Sequence, residues 1–235
     1  MISVVCMYID EEHLRENLLK SLENQTVEFE LIKIDTTAFE SASKALNYGG
    51  RMAKGKFIMF VHQDVILFGN FWLEDVERTL NNIQHLGIAG CAGSKKGNLQ
   101  VGFIKDRDRL WGKPLTKPEL VQTLDECVLI VPKIVFDKLQ FDEETFTAWH
   151  CYGADYCLSV REKLGLNAYV IPAFIHHNSP SLNVKDFLRE QAKLFSKHQA
   201  YYKHIYTPCG ELTETLRLKI WPIVSILKRS KIIGP

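Results

Sequence analysis

The sequence predicts an α/β fold built on a mainly parallel sheet with helices on both faces. Three observations carry that expectation. Short apolar, β-branched runs alternate with segments of helical period along most of the 235 residues. The runs "ISVVCMYI" and "KFIMFV" are continuously apolar, as strands covered on both faces require. Several runs also end in polar residues, where ligands bind in open α/β sheets.

The elements follow in order. "ISVVCMYI" is a strand, and Leu14, Leu18, Leu19 and Leu22 recur at helical spacing over about residues 12–24. "FELIKID" is a second strand. "ESASKALNYGGRMAKG" is helical, with Gly49-Gly50 expected to weaken or end it. "KFIMFVHQDVIL" opens as a third strand, "WLEDVERTLNNI" is a helix, and "LGIAGCAG" is a fourth strand. Residues 94–118 show no clear period and read as loop. "DECVLIVPKIVF" is a fifth strand followed by a turn, "GADYCLSVREKLG" a helix, and "NAYVIPAFIHHNS" a last strand. From about residue 184 the pattern is helical to the end, apart from a break at "TPCG". The division is therefore a sheet domain over 1–183 and a helical extension over 184–235.

Composition narrows the classes. Hydrophobic residues are 46% and charged residues 24%, which excludes global disorder. Lys+Arg number 29 against 28 Asp+Glu, too even a balance for a general nucleic-acid binder. The six cysteines form no CxxC pair and several lie in apolar runs, so they read as reduced, mostly buried thiols of a cytoplasmic protein. No run approaches the roughly 20 apolar residues that span a bilayer.

"FIMFVHQDV" is the most informative segment, because an apolar strand delivers a His, an amide and a carboxylate together. A carboxylate there can hold a hard divalent cation that neutralises a diphosphate. The alternative is a strand-end turn capped by Asp64. Asp10, Asp35 and the pair His176-His177 lie at other strand ends. Only one of the two histidines can face a site, because side chains alternate along a strand. Trp149 before the next helix suits the apolar face of a sugar ring or a core position equally.

At this point the order of motifs resembles the GT-A fold glycosyltransferases of the large inverting family 2 type, over about residues 1–180. The stretches that carry it are "SLENQTVEFELIKID", "ALNYGGRMAKGKFIMFVHQDV" and "WHCYGADYCLSVREKLG". "HQD" sits where the family has its Asp-x-Asp metal motif, as in a variant branch that carries His-Gln-Asp. The resemblance implies Asp64 as metal ligand and His177 as a further ligand or diphosphate contact, with Mn2+ or Mg2+ as the cation. It implies Tyr8, Ile9, Asp35, Thr36, His62 and Gln63 around the nucleotide-sugar donor. Thr36 replaces the second Asp of the family's Asp-Asp pair, and His62 the first carboxylate of the metal motif. Asp155 matches the Asp of the family's Glu-Asp pair, which serves as general base, with Ala154 in place of the Glu. The other reading of Asp155 is a helix cap. Should the base reading fail, His150 and Glu126 are the next candidates. Trp149, His150 and Tyr152 are implied on the acceptor side.

The implied activity is metal-dependent, inverting transfer of a sugar to a hydroxyl of a glycan or lipid-linked acceptor. Two rival readings are a non-catalytic nucleotide-sugar or glycan-binding module and a sugar-phosphate nucleotidyltransferase. The second lacks the glycine- and arginine-rich phosphate loop after strand one. The last twenty residues carry Arg217, Lys219, Lys228, Arg229 and Lys231 with no acid, and Leu216, Ile220, Ile223, Val224 and Leu227 share one helical face. This tail reads either as a helix on an anionic membrane surface or as one packed on the catalytic domain or a second subunit.

Overall fold

The structure is a computed structural model that describes residues 1–178 and 184–215. The basic tail lies outside the described residues. Among them, no helix is long and apolar enough to cross a membrane.

The chain runs β1 (Ile2–Tyr8), α1 (Glu11–Leu14), a π-helical turn (Arg15–Leu19), α2 (Lys20–Leu22), β2 (Phe29–Asp35), α3 (Ala42–Met52), β3 (Phe57–His62), β4 (Val65–Leu67) and α4 (Trp72–Asn81). It continues through β5 (Leu86–Gly90), β6 (Ala92–Lys95), β7 (Leu99–Asp106), β8 (Arg109–Gly112), β9 (Glu119–Val121), β10 (Thr123–Leu124), β11 (Val128–Pro132) and α5 (Lys133–Phe136). Last come α6 (Tyr152–Leu164), β12 (Asn167–Val170), β13 (Ile175–His177), α7 (Val184–His198), β14 (His204–Thr207) and β15 (Gly210–Thr213).

Seven strands form the main sheet in the order β2-β1-β3-β11-β5-β12-β9. β1 pairs in parallel with β2 and β3, as expected, and β5 with β12. β11 runs antiparallel to both β3 and β5, and β9 antiparallel to β12, while β2, β1, β3, β5 and β12 share one direction, so the sheet is mainly parallel with two reversed strands. Its central strands are buried on both faces, with side chains alternating between two cores. From β1, Val5 and Met7 enter one core while Ile2, Val4 and Cys6 enter the other; Phe60 and Met59 divide likewise on β3. The first core packs under α3, α5 and α6, the second under the α1–α2 segment and α4.

The structure departs from four expectations. Helix α3 continues through Gly49-Gly50 to Met52. A Cβ on Gly49 would lie 2.4 Å from Val5 Cγ1, and one on Gly50 2.3 Å from the Phe136 ring. The glycines let the helix approach the sheet closely, and that packing outweighs their low propensity. Residues 94–118 are not loop but mostly β6–β8, with the turn at Gly97 and Asn98 in positive φ. The expected last strand is two strands, because Pro172 interrupts it and β13 joins a second sheet between β7 and β4.

The segment after residue 184 is not wholly helical either, since β14–β15 is a hairpin with register Ile205↔Leu212. Leu194 and Phe195 of α7 and Ile205 and Leu212 of the hairpin pack on Phe146, Ala154 and Leu158. This third core fastens the extension to α6.

Candidate active site

The ends of β1 and β3, the residues before β11, the start of α6 and strand β13 converge on a cavity of about 830 Å³. The antiparallel course of β11 brings its amino end to the same edge as the carboxyl ends of β1 and β3. Cys127 O accepts the His62 N–H at 3.1 Å, which fixes that junction.

His62 ends β3, Gln63 and Asp64 form a turn, and β4 begins at Val65. The β4–β13 register pairs Val65 with His177, so His177 arrives beside Asp64. His176 points elsewhere and donates to Arg107 O at 3.0 Å. The Nε2 of His177 lies 3.5 Å from Asp64 Oδ1, and its Nδ1 lies 3.6 Å from Asp106 Oδ1. Both separations exceed a good hydrogen bond. Asp64 Oδ1, His177 Nε2 and Asp106 Oδ1 are all buried without a hydrogen-bond partner. Buried polar atoms ordinarily find partners, so this is the arrangement expected of side chains shaped around something else.

His62, Asp64 and His177 offer ligand atoms that all lie within 4.8 Å of one another. Two imidazoles and a carboxylate suit manganese better than magnesium. Burial, then the neighbouring His177, pushes the His62 imidazole down to about 4, so it is neutral and able to ligate near pH 7. Burial raises the Asp64 carboxyl, but the charges of the neighbouring His62 and His177 oppose it, and the group is held below its ordinary range. His177 is moved upward overall, because Asp64 outweighs the lowering effect of burial.

The donor-side residues divide. Tyr8, Ile9, Thr36, His62 and Gln63 line the cavity, and Ile9 is 73% exposed there. Gln63 Oε1 accepts the N–H groups of Ile9 and Asp10 at 2.8 and 3.1 Å, which fixes the end of β1. Thr36 donates its hydroxyl to Tyr8 O at 3.0 Å. Asp35 does not serve as a cavity carboxylate. Its Oδ1 accepts from Thr37 N and Thr37 Oγ1 at 2.9 and 2.6 Å and caps the turn that follows. Thr37, which the sequence reading passed over, lines the cavity instead.

On the other side, Trp149 and His150 line the cavity, with the His150 ring edge-on to Phe187 at 5.6 Å. Tyr152 is 3% exposed, and its hydroxyl lies 2.9 Å from His62 Nε2. It therefore holds His62 in place and, unlike Trp149 and His150, is not among the residues that line the cavity.

Asp155, expected as the general base, is not among the residues that line the cavity. It is 2% exposed, with Oδ1 2.8 Å from His198 Nε2 and 2.6 Å from Lys197 Nζ. Glu162, two turns further along α6, lies 2.6 Å from the other nitrogen of His198. Helical period puts both carboxylates on the face that meets α7, turned away from the cavity. Glu126, named above as a next candidate for the base, lines the cavity, as do Asp125 and Asp106, which the sequence did not single out. Of these, Asp125 and Glu126 lie before β11, and only its antiparallel pairing places them at the site.

The fold and site match known proteins. A family model described as "Glycosyltransferase like family" matches residues 3–198. No curated protein sequence matches the chain. Among solved structures, GalNAc-T7 with UDP, GalNAc and Mn2+ superposes with a TM-score of 0.61 at 12% identity, over 83% of this chain. This chain spans only 47% of that one. The mannosyltransferase PcManGT from Pyrobaculum calidifontis, in complex with GDP-Man and Mn2+, gives a TM-score of 0.60 at 12% identity, over 100% of this chain and 76% of that one. TarS 1-349 of S. aureus in complex with UDP-GlcNAc gives 0.56 at 14% identity, over 95% and 71%. At such identities the likeness establishes a shared GT-A fold. With the family model covering most of its length, the chain belongs to the glycosyltransferase-like family.

Proposed function

We propose that the protein transfers a sugar from a nucleotide-diphosphate donor to a hydroxyl of a glycan or lipid-linked acceptor, with inversion and with a divalent cation, Mn2+ or Mg2+. The observation that carries the reading is the pair of buried atoms without partners, Asp64 Oδ1 and His177 Nε2, beside His62 in the cavity. His62, Asp64 and His177 would hold the cation, which supplies counter-charge to the departing diphosphate. Tyr8, Ile9, Thr36 and Thr37 form the donor wall, and Trp149, His150 and Phe187 the acceptor wall. Solved neighbours with nucleotides or nucleotide sugars, two of them also with Mn2+, support the reading.

The test is a thermal-shift series with UDP-GlcNAc, UDP-GalNAc and GDP-mannose, each with Mn2+ or with EDTA. One donor should raise the melting temperature, and only with Mn2+, because a ligand bound to the native state alone stabilises it. Asp64→Asn should abolish that metal-dependent shift. A full shift retained by the variant would remove Asp64 from the metal site. Donor binding without nucleotide release, with any acceptor or with water, would make the protein a binding module.

A further inference from the structure

We infer that Glu126, delivered by the strand next to β3 rather than by α6, is the general base that deprotonates the acceptor hydroxyl. The inference rests on the transferase reading above and assigns its missing proton acceptor.

Glu126 lines the same cavity as His62, Asp64, Trp149 and His150. It is joined through Asp125 and Cys127 to the edge that carries His62. Its Oε1 accepts the N–H of Gly153, in the first turn of α6, at 2.7 Å. That bond aims the carboxylate and places it where a helix N-terminus favours negative charge. The approach depends on glycine, since a Cβ on Gly153 would lie 2.9 Å from Glu126 Cγ. Cys151, just before the helix, holds a left-handed φ of 65°, an unfavourable conformation for a non-glycine residue. The backbone strain and the glycine fall together at the turn that presents the helix to Glu126.

The groups that face Glu126 are known. Asp125 comes from its own segment, Cys151, Tyr152 and Cys157 from the start of α6, Glu190 from α7 and Cys209 from the hairpin. Burial first, and the neighbouring Asp125 and Glu190 charges, push the Glu126 carboxyl up to about 8 against the backbone donors of Gly153 and Cys151. A base poised near the working pH is well matched to proton transfer.

In the step, the acceptor O–H gives its proton to the Glu126 carboxylate. The acceptor oxygen forms a bond to the anomeric carbon from the face opposite the diphosphate. The anomeric carbon–oxygen bond breaks, and its electron pair leaves on the nucleoside diphosphate. The products are an inverted glycoside, a nucleoside diphosphate and protonated Glu126, which then loses its proton to water.

The experiment uses the full chain with Mn2+ and the donor, of UDP-GlcNAc, UDP-GalNAc and GDP-mannose, that shifts wild type. Nucleotide release to water or to a sugar acceptor is measured across pH 5.5–9, alongside donor affinity and melting temperature. Glu126→Gln should retain donor affinity within about threefold and lose roughly 100-fold or more in rate. The wild-type rate should climb with pH as the carboxyl ionises, and the variant's residual rate should lack that climb. A variant rate within a few-fold of wild type overturns Glu126 as base and leaves the transferase reading standing. Loss of donor affinity in a folded variant makes Glu126 a donor ligand and also overturns the inference. Should Glu126→Gln not fold, Glu126→Asp and the wild-type pH profile decide. A wild-type rate that is highest at low pH, where the carboxyl is protonated, rejects the base. If no donor binds wild type, the transferase reading fails first and the base assignment with it.

Discussion

Gly153 and Glu126 occupy one another's space. The glycine N–H donates to the carboxylate at 2.7 Å, and a methyl on Gly153 would meet Glu126 Cγ and Leu129 Cδ1, each at 2.9 Å. The first turn of α6 thus leaves room for a side chain from the neighbouring strand.

Gly153→Ala should therefore push the Glu126 carboxylate off its bond. Both crowded atoms belong to side chains, so the fold should survive with a loss of about 1–3 kcal/mol from overpacking. Turnover should fall well beyond what that loss explains, while metal-dependent donor binding persists. Denaturant unfolding and transfer rates on the same preparation check this. Unchanged turnover would show that the contact does not position the carboxylate.

Asp155 should behave as a structural ion-pair partner. Asp155→Ala leaves His198 and Lys197 without their shared buried carboxylate, and should cost about 3–5 kcal/mol. Asp155→Asn keeps the shape and part of the hydrogen bonding, and should cost less. Either variant, where folded, should keep near wild-type turnover per folded molecule. A 100-fold loss in a stable Asp155→Asn protein would return the base role to that residue.

The raised Glu126 carboxyl also predicts a pH dependence of stability. Its folded value, about 8, lies above the ordinary 4.5, so the folded state favours the protonated form. The stability from that preference is fully present below about 4.5 and is lost as pH rises through about 8. Glu126→Gln stays neutral throughout. The melting temperature of the variant relative to wild type should therefore rise between pH 5 and pH 9. A constant difference across that range would mean that the carboxyl is not raised.

By itself the sequence determined the alternating elements, the strand-end placement of His62, Gln63 and Asp64, and that only one of the two histidines can turn inward. These depend on local periods, and a side chain's face follows from strand alternation wherever an apolar run is long enough to read. Tertiary structure decided the rest. Whether β11 ran parallel or antiparallel was not written in "CVLIV", yet that direction brings Glu126 to the site's edge. Strand-end reasoning searches carboxyl ends, and so it ranked Glu126, a carboxylate at an amino end, behind Asp155. The face of α6 that Asp155 joins was likewise set by α7, whose His198 and Lys197 lie about forty residues further along the chain. Gly49 and Gly50 read locally as helix breakers, but Val5 and Phe136 made them the only residues that fit. In each case the deciding partner is distant in sequence. Periodicity reports which face a residue occupies, whereas packing determines what that face meets.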